Sequence, residues 1–299
     1  MTPSLRPIDQ QVIVITGASS GIGLATALAA AAQGARLVLA ARSAQALAEI
    51  ARDIMDGGAE ALPVTVDVGD RGQVERLAKE AIARFGRIDT WVNNAGASIY
   101  GRIEEVSDED NRRLFETNFW GTVHGSLVAL PHLKRQGGAL VNVGSEVSDA
   151  VLPWQGMYAA SKHAVKGFTD ALRVELEVER APVSVTLIQP TAVDTPYPEH
   201  ARNYMDREPK LPTPMIDPRL VAEAIIDAAT HPRRDVTVGV MAKLNVMTWK
   251  LAPWLADIMA RQQADRQQRD EAPRDPAGTL HRAGGAGNIY GRGTEGAPG

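Results

Sequence analysis

A single three-layer α/β domain on a doubly wound parallel sheet is predicted from two periodicities and their alternation along residues 1–190. Short runs rich in Val, Ile and Leu lie at residues 12–15, 36–40, 62–66, 90–93, 139–143 and 183–188. They are continuous rather than alternating, as strands covered on both faces are. Segments of helical pattern separate them at 21–33, 44–56, 71–85, 108–134 and 157–179, and several stop at glycine (Gly34, Gly57, Gly86, Gly137). Strand and helix in strict alternation imply right-handed crossovers and parallel strands.

The first strand runs directly into Thr16-Gly17-Ala18-Ser19-Ser20-Gly21-Ile22-Gly23 and the first helix. Glycines there permit a tight turn and close approach of backbone to a pyrophosphate, and a helix N-terminus favours an anion. The spacing Gly-x-x-x-Gly-x-Gly differs from the Gly-x-Gly-x-x-Gly dinucleotide fingerprint, so its place between first strand and first helix carries the reading. The second strand ends at Ala41-Arg42, where an acidic residue would bind a ribose 2′-hydroxyl. A guanidinium there suits a 2′-phosphate, which predicts NADP(H) over NAD(H).

Asp67-Val68 follow the third strand, Asn94-Ala95-Gly96 the fourth, and Ser145 the fifth. The helix after that carries Tyr158 and Lys162, four residues apart and so on one helical face. A cation beside the phenol would favour phenolate, and such a tyrosine can exchange a proton with a carbonyl or alcohol oxygen. The sixth strand leads into Pro190, Val193 and Thr195 at the start of a Pro-rich loop, residues 191–217, with an insertion-like stretch at 197–211. That loop leaves the sheet on the side where such folds bind ligands, and its length predicts a substrate loop. A helix at 218–230 and a strand at 235–238 complete the domain, which spans residues 1–264. Residues 240–264 form an apolar extension interrupted by Lys250, Pro253 and Asp257, expected to pack on the protein's own body or on a second subunit. Residues 265–299, rich in glycine and proline, are expected to be a disordered tail.

Composition narrows the class. With 44% hydrophobic and 23% charged residues the 299-residue chain is of ordinary globular type. A net charge of −4 gives no basic excess for nucleic acid. The chain has no cysteine, which excludes disulfides and thiolate chemistry. Its six histidines are scattered, with no spacing that suggests a metal. No apolar run reaches the roughly 18 residues that span a bilayer, and the N-terminus lacks a signal-peptide core; a cytoplasmic enzyme is expected.

Taken together, the turn at 16–23, Asp67-Val68, Asn93-Asn94-Ala95-Gly96, Asn118, Ser145 and Tyr158-Ala-Ala-Ser-Lys162 resemble the short-chain dehydrogenase/reductase family from about residue 11 to 240. The resemblance implies a Rossmann-like fold and an NAD(P)-dependent interconversion of ketone or aldehyde and alcohol. It implies cofactor contacts at Thr16, Gly17, Ser19, Ser20, Gly21, Ile22, Gly23, Arg42, Asp67, Val68, Asn94, Ala95, Gly96, Pro190, Val193 and Thr195. It implies that Asn118 distorts its helix, that Ser145 bonds the substrate oxygen, and that Tyr158 exchanges the proton. Lys162 would bind the nicotinamide ribose and lower the tyrosine pKa. It also implies a homodimer or homotetramer formed through the helices at 108–134 and 157–179. An NAD-preferring dehydrogenase and a non-catalytic dinucleotide sensor are the alternatives. One departure is that Thr191 stands where the family commonly has glycine; if that position needs φ > 0, threonine would be strained. Glu146, Trp154, Gln155, Met157 and Tyr100 are positional candidates for substrate contacts.

Overall fold

The computed structural model describes residues 3–284 and 287–292. In chain order its larger elements are β1 (Val12–Thr16), α1 (Gly21–Ala32), β2 (Arg36–Ala41), α2 (Ala44–Asp56), β3 (Ala61–Thr65), α3 (Arg71–Phe85), β4 (Thr90–Asn93), β5 (Ile99–Tyr100) and α4 (Asp108–Phe115). Then come α5 (Gly121–Gln136), β6 (Gly138–Val143), α6 (Gly156–Val178), β7 (Val183–Pro190), α7 (Tyr197–His200), β8 (Arg202–Asn203), α8 (Pro218–Thr230), β9 (Asp235–Val238), α9 (Val240–Leu251) and α10 (Pro253–Gln263).

Seven parallel strands form one sheet in the order β3-β2-β1-β4-β6-β7-β9. The order reverses at β1/β4, which is the doubly wound arrangement expected. Alternate residues of β1 and β2 serve opposite faces. Ile13, Ile15, Leu37 and Leu39 pack with Leu24 and Ala27 of α1 and Val221 and Ile225 of α8. Val12, Val14 and Val38 pack with Leu77 of α3, Leu133 of α5 and Leu176 of α6. Each such side chain contributes roughly 1.5–3 kcal/mol of burial, so both helical layers are held by one continuous set of strand residues.

The edges depart from the expectation of strands covered on both faces. In β3 only Val64 is buried, and Pro63 sits where its missing N–H costs no ladder bond; β9 is likewise half-exposed. The helix expected at 108–134 is interrupted at residues 116–120 by one wider turn, closed by Gly121 N–H to Glu116 O. A short parallel ribbon, β5 with β8, was not foreseen; it ties the segment after β4 to the loop after β7.

Of the stretch expected to be a disordered tail, residues 265–284 and 287–292 lie against the domain; the remaining positions lie outside the described residues. Leu280 is fully buried beside Ala97, Ile99 and Leu114. Gln267 is also fully buried, and its amide bonds the Pro153 carbonyl at 3.0 Å. One well-placed apolar anchor with many backbone hydrogen bonds orders a segment whose composition alone reads as unstructured. Within α9 and α10 only Ala242 and Ala256 are buried, while Leu251 and Trp254 stand exposed. Among the described residues, no helix is long and apolar enough to cross a membrane.

Candidate active site

The turn after β1 is shaped by its own backbone. Gly17 and Gly21 have φ of +69° and +53°, values that side chains rarely adopt. A Cβ on Gly23 would lie 2.1 Å from the Gly17 carbonyl oxygen, so only glycine lets α1 start this close to β1. Thr16 and Asn94 fasten the turn to the end of β4. Thr16 Oγ1 accepts from the N–H groups of Asn94 and Ala95 at 3.0 and 3.1 Å, and the Asn94 amide donates to Thr16 O at 3.0 Å. These two residues position the turn, and Thr16 and Gly23 lie behind the surface of the cavity rather than on it.

The cavity, about 260 Å³, follows the carboxyl ends of the central strands. Gly17, Ser19, Ser20, Gly21 and Ile22 line one stretch of it, and Arg42, Asp67 and Val68 another. Ala95, Gly96, Pro190, Val193 and Thr195 line it toward Ser145, Tyr158 and Lys162. Every expected cofactor residue except Thr16 and Gly23 therefore meets in one space. Arg42 has acquired partners the sequence did not suggest: its guanidinium donates to the carbonyls of Thr279 and of Leu280, the latter at 3.0 Å. Asp67 pairs with Arg113 and caps its own turn at the Gly69 N–H, 3.0 Å away.

At the other end, Tyr158 and Lys162 share a face of α6 as their spacing required. Lys162 is buried, its Nζ donates to Val143 O at 2.9 Å, and burial lowers its pKa to about 8. Nζ lies 5.9 Å from the centre of the Tyr158 ring. Burial pushes the Tyr158 phenol up, and hydrogen bonds from Tyr197 and Ser145 oppose it. Here the structure differs from the expected lowering by Lys162: the ammonium is turned to the Val143 carbonyl, and the neighbouring Glu146 carboxyl adds to the rise. Ser145 sits just beyond β6, its Oγ accepting from Val147 N at 3.3 Å.

Asn118 is fully buried at the wide turn between α4 and α5. Its amide bonds Ala97 in both directions, accepting at 2.8 Å and donating at 3.0 Å, and donates to Ser161 Oγ at 3.0 Å. It does not reach the cavity surface, so its place is to hold the segment after Gly96 against α6.

Of the positional substrate candidates, Glu146 and Gln155 line the cavity, whereas Trp154, Met157 and Tyr100 do not. Tyr100 is fully buried in β5, and Trp154 lies under the Arg102 guanidinium. Sequence reasoning missed Tyr197 as a site residue. Its ring stands edge-on to Tyr158 with centroids 5.4 Å apart, and its hydroxyl reaches Ser98 Oγ at 2.7 Å and Gln155 Oε1 at 3.1 Å. A tyrosine at the head of the insertion-like stretch 197–211 was the available signal. Thr191 is not strained, since the non-glycine residues with positive φ are Trp154 and Arg180 among those described. Its hydroxyl donates to Glu146 Oε1 at 3.1 Å, and Asn245 of α9 donates to Oε2 at 3.0 Å. Burial raises the Glu146 pKa against those two bonds. Behind Glu146 a smaller cavity, about 100 Å³, opens among Val147, Val151, Pro214, Met241, Trp249 and Met259.

Sheet order, the glycine turn at β1 and the Ser-Tyr-Lys group beyond β6 define an oxidoreductase of dinucleotide-binding type. A family model described as short chain dehydrogenase matches residues 11–205. The chain is 48% identical over 275 residues to the Bacillus subtilis (strain 168) protein named uncharacterized oxidoreductase YxnA, covering 91% of this chain and 77% of that one. A short-chain dehydrogenase/reductase from Burkholderia phymatum, solved in complex with NAD, superposes with a TM-score of 0.76 at 29% identity over 89% of this chain and 99% of its own. One from Burkholderia cenocepacia J2315, in complex with NADP, gives 0.70 at 28% identity over 85% and 99%. The chain belongs to the short-chain dehydrogenase/reductase family and is an NAD(P)-dependent dehydrogenase/reductase of that family.

Proposed function

We propose that this chain is an NADP(H)-dependent oxidoreductase that interconverts a ketone or aldehyde with an alcohol through Ser145, Tyr158 and Lys162. The observation that carries the reading is one cavity shared by the phosphate-type turn, Arg42 and the Ser-Tyr-Lys group. The residues present suit a dinucleotide: hydroxyls of Ser19 and Ser20 and the start of α1 for a pyrophosphate, and a guanidinium at the far end for a 2′-phosphate. When bound, that cofactor supplies or takes the hydride. Ser145 holds the substrate oxygen, while Tyr158 protonates it in reduction and takes the proton back in oxidation. A phenol can donate the proton in reduction and, as phenolate, take it in oxidation. Lys162, on the same helical face, would bond the nicotinamide ribose. Asn118 supports the pair by fixing Ala97 and Ser161.

The two adjoining cavities, whose walls share Glu146, Val147, Leu152 and Thr191, suit a carbonyl compound with an apolar body, which the annex behind Glu146 would take. Self-association is proposed through α4–α5 and α6, where Trp120, Leu127, Val174 and Val178 present exposed apolar surface. The test is Tyr158→Phe, assayed by NADPH consumption over a panel of aliphatic and aromatic ketones and aldehydes. Loss of the proton donor lowers kcat roughly 10²–10⁴-fold. A variant that keeps wild-type turnover sinks the assignment, and a wild type that binds NADPH without reducing any carbonyl favours the sensor instead.

A further inference from the structure

The smaller cavity behind Glu146 is bounded by the loops that follow β6 and β7 and by the two helices of the C-terminal extension, α9 and α10. Ala192 and Pro212 also border both cavities, so the two spaces adjoin around Glu146, one residue beyond Ser145. A substrate whose oxygen lies at Ser145 and Tyr158 therefore has its body at the mouth of the annex. Met241, Trp249 and Met259 make the outer wall apolar. The two helices bury only Ala242 and Ala256, yet they are what closes this space.

The polar groups on that wall differ in how they are satisfied. Glu146 accepts from Thr191 at 3.1 Å and from Asn245 at 3.0 Å, and Thr248 donates to Leu244 O at 2.8 Å. Gln263, the last residue of α10, stands apart. Its Oε1 is buried and has no hydrogen-bond partner among the described residues, and the side chain lines the annex rather than the larger cavity. An acceptor buried and unpaired is costly, so its presence in a cavity wall calls for a donor that comes with a ligand. A hydroxyl is the group that suits an amide, since it can donate to the oxygen and accept from the nitrogen.

We propose that Gln263 is a specificity-determining residue of the substrate site: it bonds a hydroxyl carried at the far end of the substrate's apolar body, which makes the substrate class a hydroxylated apolar ketone or aldehyde. The proposal rests on the carbonyl-alcohol reading above. Ser145 and Tyr158 hold the reacting oxygen, the apolar walls take the body, and Gln263 reads the other end. With Gln263 present the hydroxyl finds a partner inside the protein; with the amide removed, the same hydroxyl is buried unpaired and the substrate is penalised for it.

The experiment compares straight-chain methyl ketones, from hexanone to dodecanone, with their terminal hydroxyl and terminal methoxy counterparts. The readout is kcat/KM at saturating NADPH for wild type, Gln263→Leu and Gln263→Glu. The leucine keeps the bulk and removes the amide, whereas the glutamate keeps an acceptor. In wild type the hydroxyl ketone exceeds the plain one roughly fivefold at the chain length that reaches Gln263. The methoxy ketone, which cannot donate, shows no such gain. Gln263→Leu reverses the order, leaving the hydroxyl ketone roughly fivefold or more below the plain one, and Gln263→Glu keeps the hydroxyl preference. The proposal is overturned by a wild type with no hydroxyl gain at any length, by an equal gain for methoxy, or by a gain that survives Gln263→Leu. Turnover confined to carbonyl compounds outside these series overturns it too. Each of those results leaves the carbonyl-alcohol reading standing. If wild type consumes NADPH with no ketone or aldehyde at all, that reading itself fails and the role of Gln263 falls with it.

Discussion

Lys162 should cost the fold stability below pH 8 and return it above. Its ordinary pKa of 10.5 falls to about 8 in the folded protein because burial disfavours the ammonium. Between those values the unfolded chain holds a proton that the folded one has released, so unfolding free energy rises with pH. At about 1.4 kcal/mol for each pH unit, the full rise is about 3 kcal/mol. Lys162→Met keeps the stem and removes the titration. It also orphans the Val143 carbonyl, now bonded at 2.9 Å, at a cost of about 1–3 kcal/mol. That cost does not vary with pH, so the informative quantity is the difference between the two proteins as a function of pH. Urea unfolding of both from pH 7 to 10.5 should show wild type gaining on the variant by about 3 kcal/mol. Most of the gain should fall above pH 8. A difference curve that stays flat would refute the reasoning and show that the buried amine keeps its ordinary pKa.

Two further outcomes follow from the same geometry. Arg42→Ala removes a charged contact worth about 1.5–3 kcal/mol, so KM for NADPH should rise roughly tenfold to a hundredfold while KM for NADH stays put. An equal rise for both cofactors would mean that Arg42 acts by holding the Thr279 and Leu280 carbonyls, not by reading a 2′-phosphate. Thr191→Gly removes the hydroxyl that bonds Glu146 and adds backbone freedom to the unfolded chain. Thermal or urea denaturation should find it less stable by about 1–3 kcal/mol; a more stable variant would mean that the threonine is strained after all.

The sheet was legible because its signals are local. Continuous apolar runs, glycine stops and one crossover rule suffice to order β1 to β4, β6 and β7, and the site residues follow at the strands' carboxyl ends. What escaped were contacts between distant segments. Nothing near Leu280 marks it as an anchor, since one leucine among glycines and arginines has no periodicity to read. Arg42 was recognisable as a cation at the right strand end, but its two carbonyl partners lie more than two hundred residues away. The pairing of β5 with β8 was hidden for the same reason: two-residue strands leave no pattern. For Thr191 the sequence left open whether the position needs φ > 0; it does not, and the hydroxyl bonds Glu146.

Beneath the proton-transfer residues lies a polar network that explains how their positions are kept. Asn93, at the end of β4, accepts from Trp91 Nε1 at 2.8 Å and donates to Asn142 and Ser126 at 2.9 and 3.1 Å. Asn142 in turn donates to Thr169 of α6 at 2.9 Å. Every member is fully or almost fully buried, so an unpaired atom here would be costly, and the partners fix β4, β6, α5 and α6 in one register. A Cβ on Gly125 would lie 2.0 Å from Asn93 Oδ1, which is why α5 can approach only through a glycine. Val143, next to Asn142, presents the carbonyl that holds Lys162, and Thr169 stands on the helix that carries both Tyr158 and Lys162. The spacing of tyrosine and lysine on α6 sets their separation along one helix. Where that helix face points relative to Ser145 is set by the asparagines beneath it.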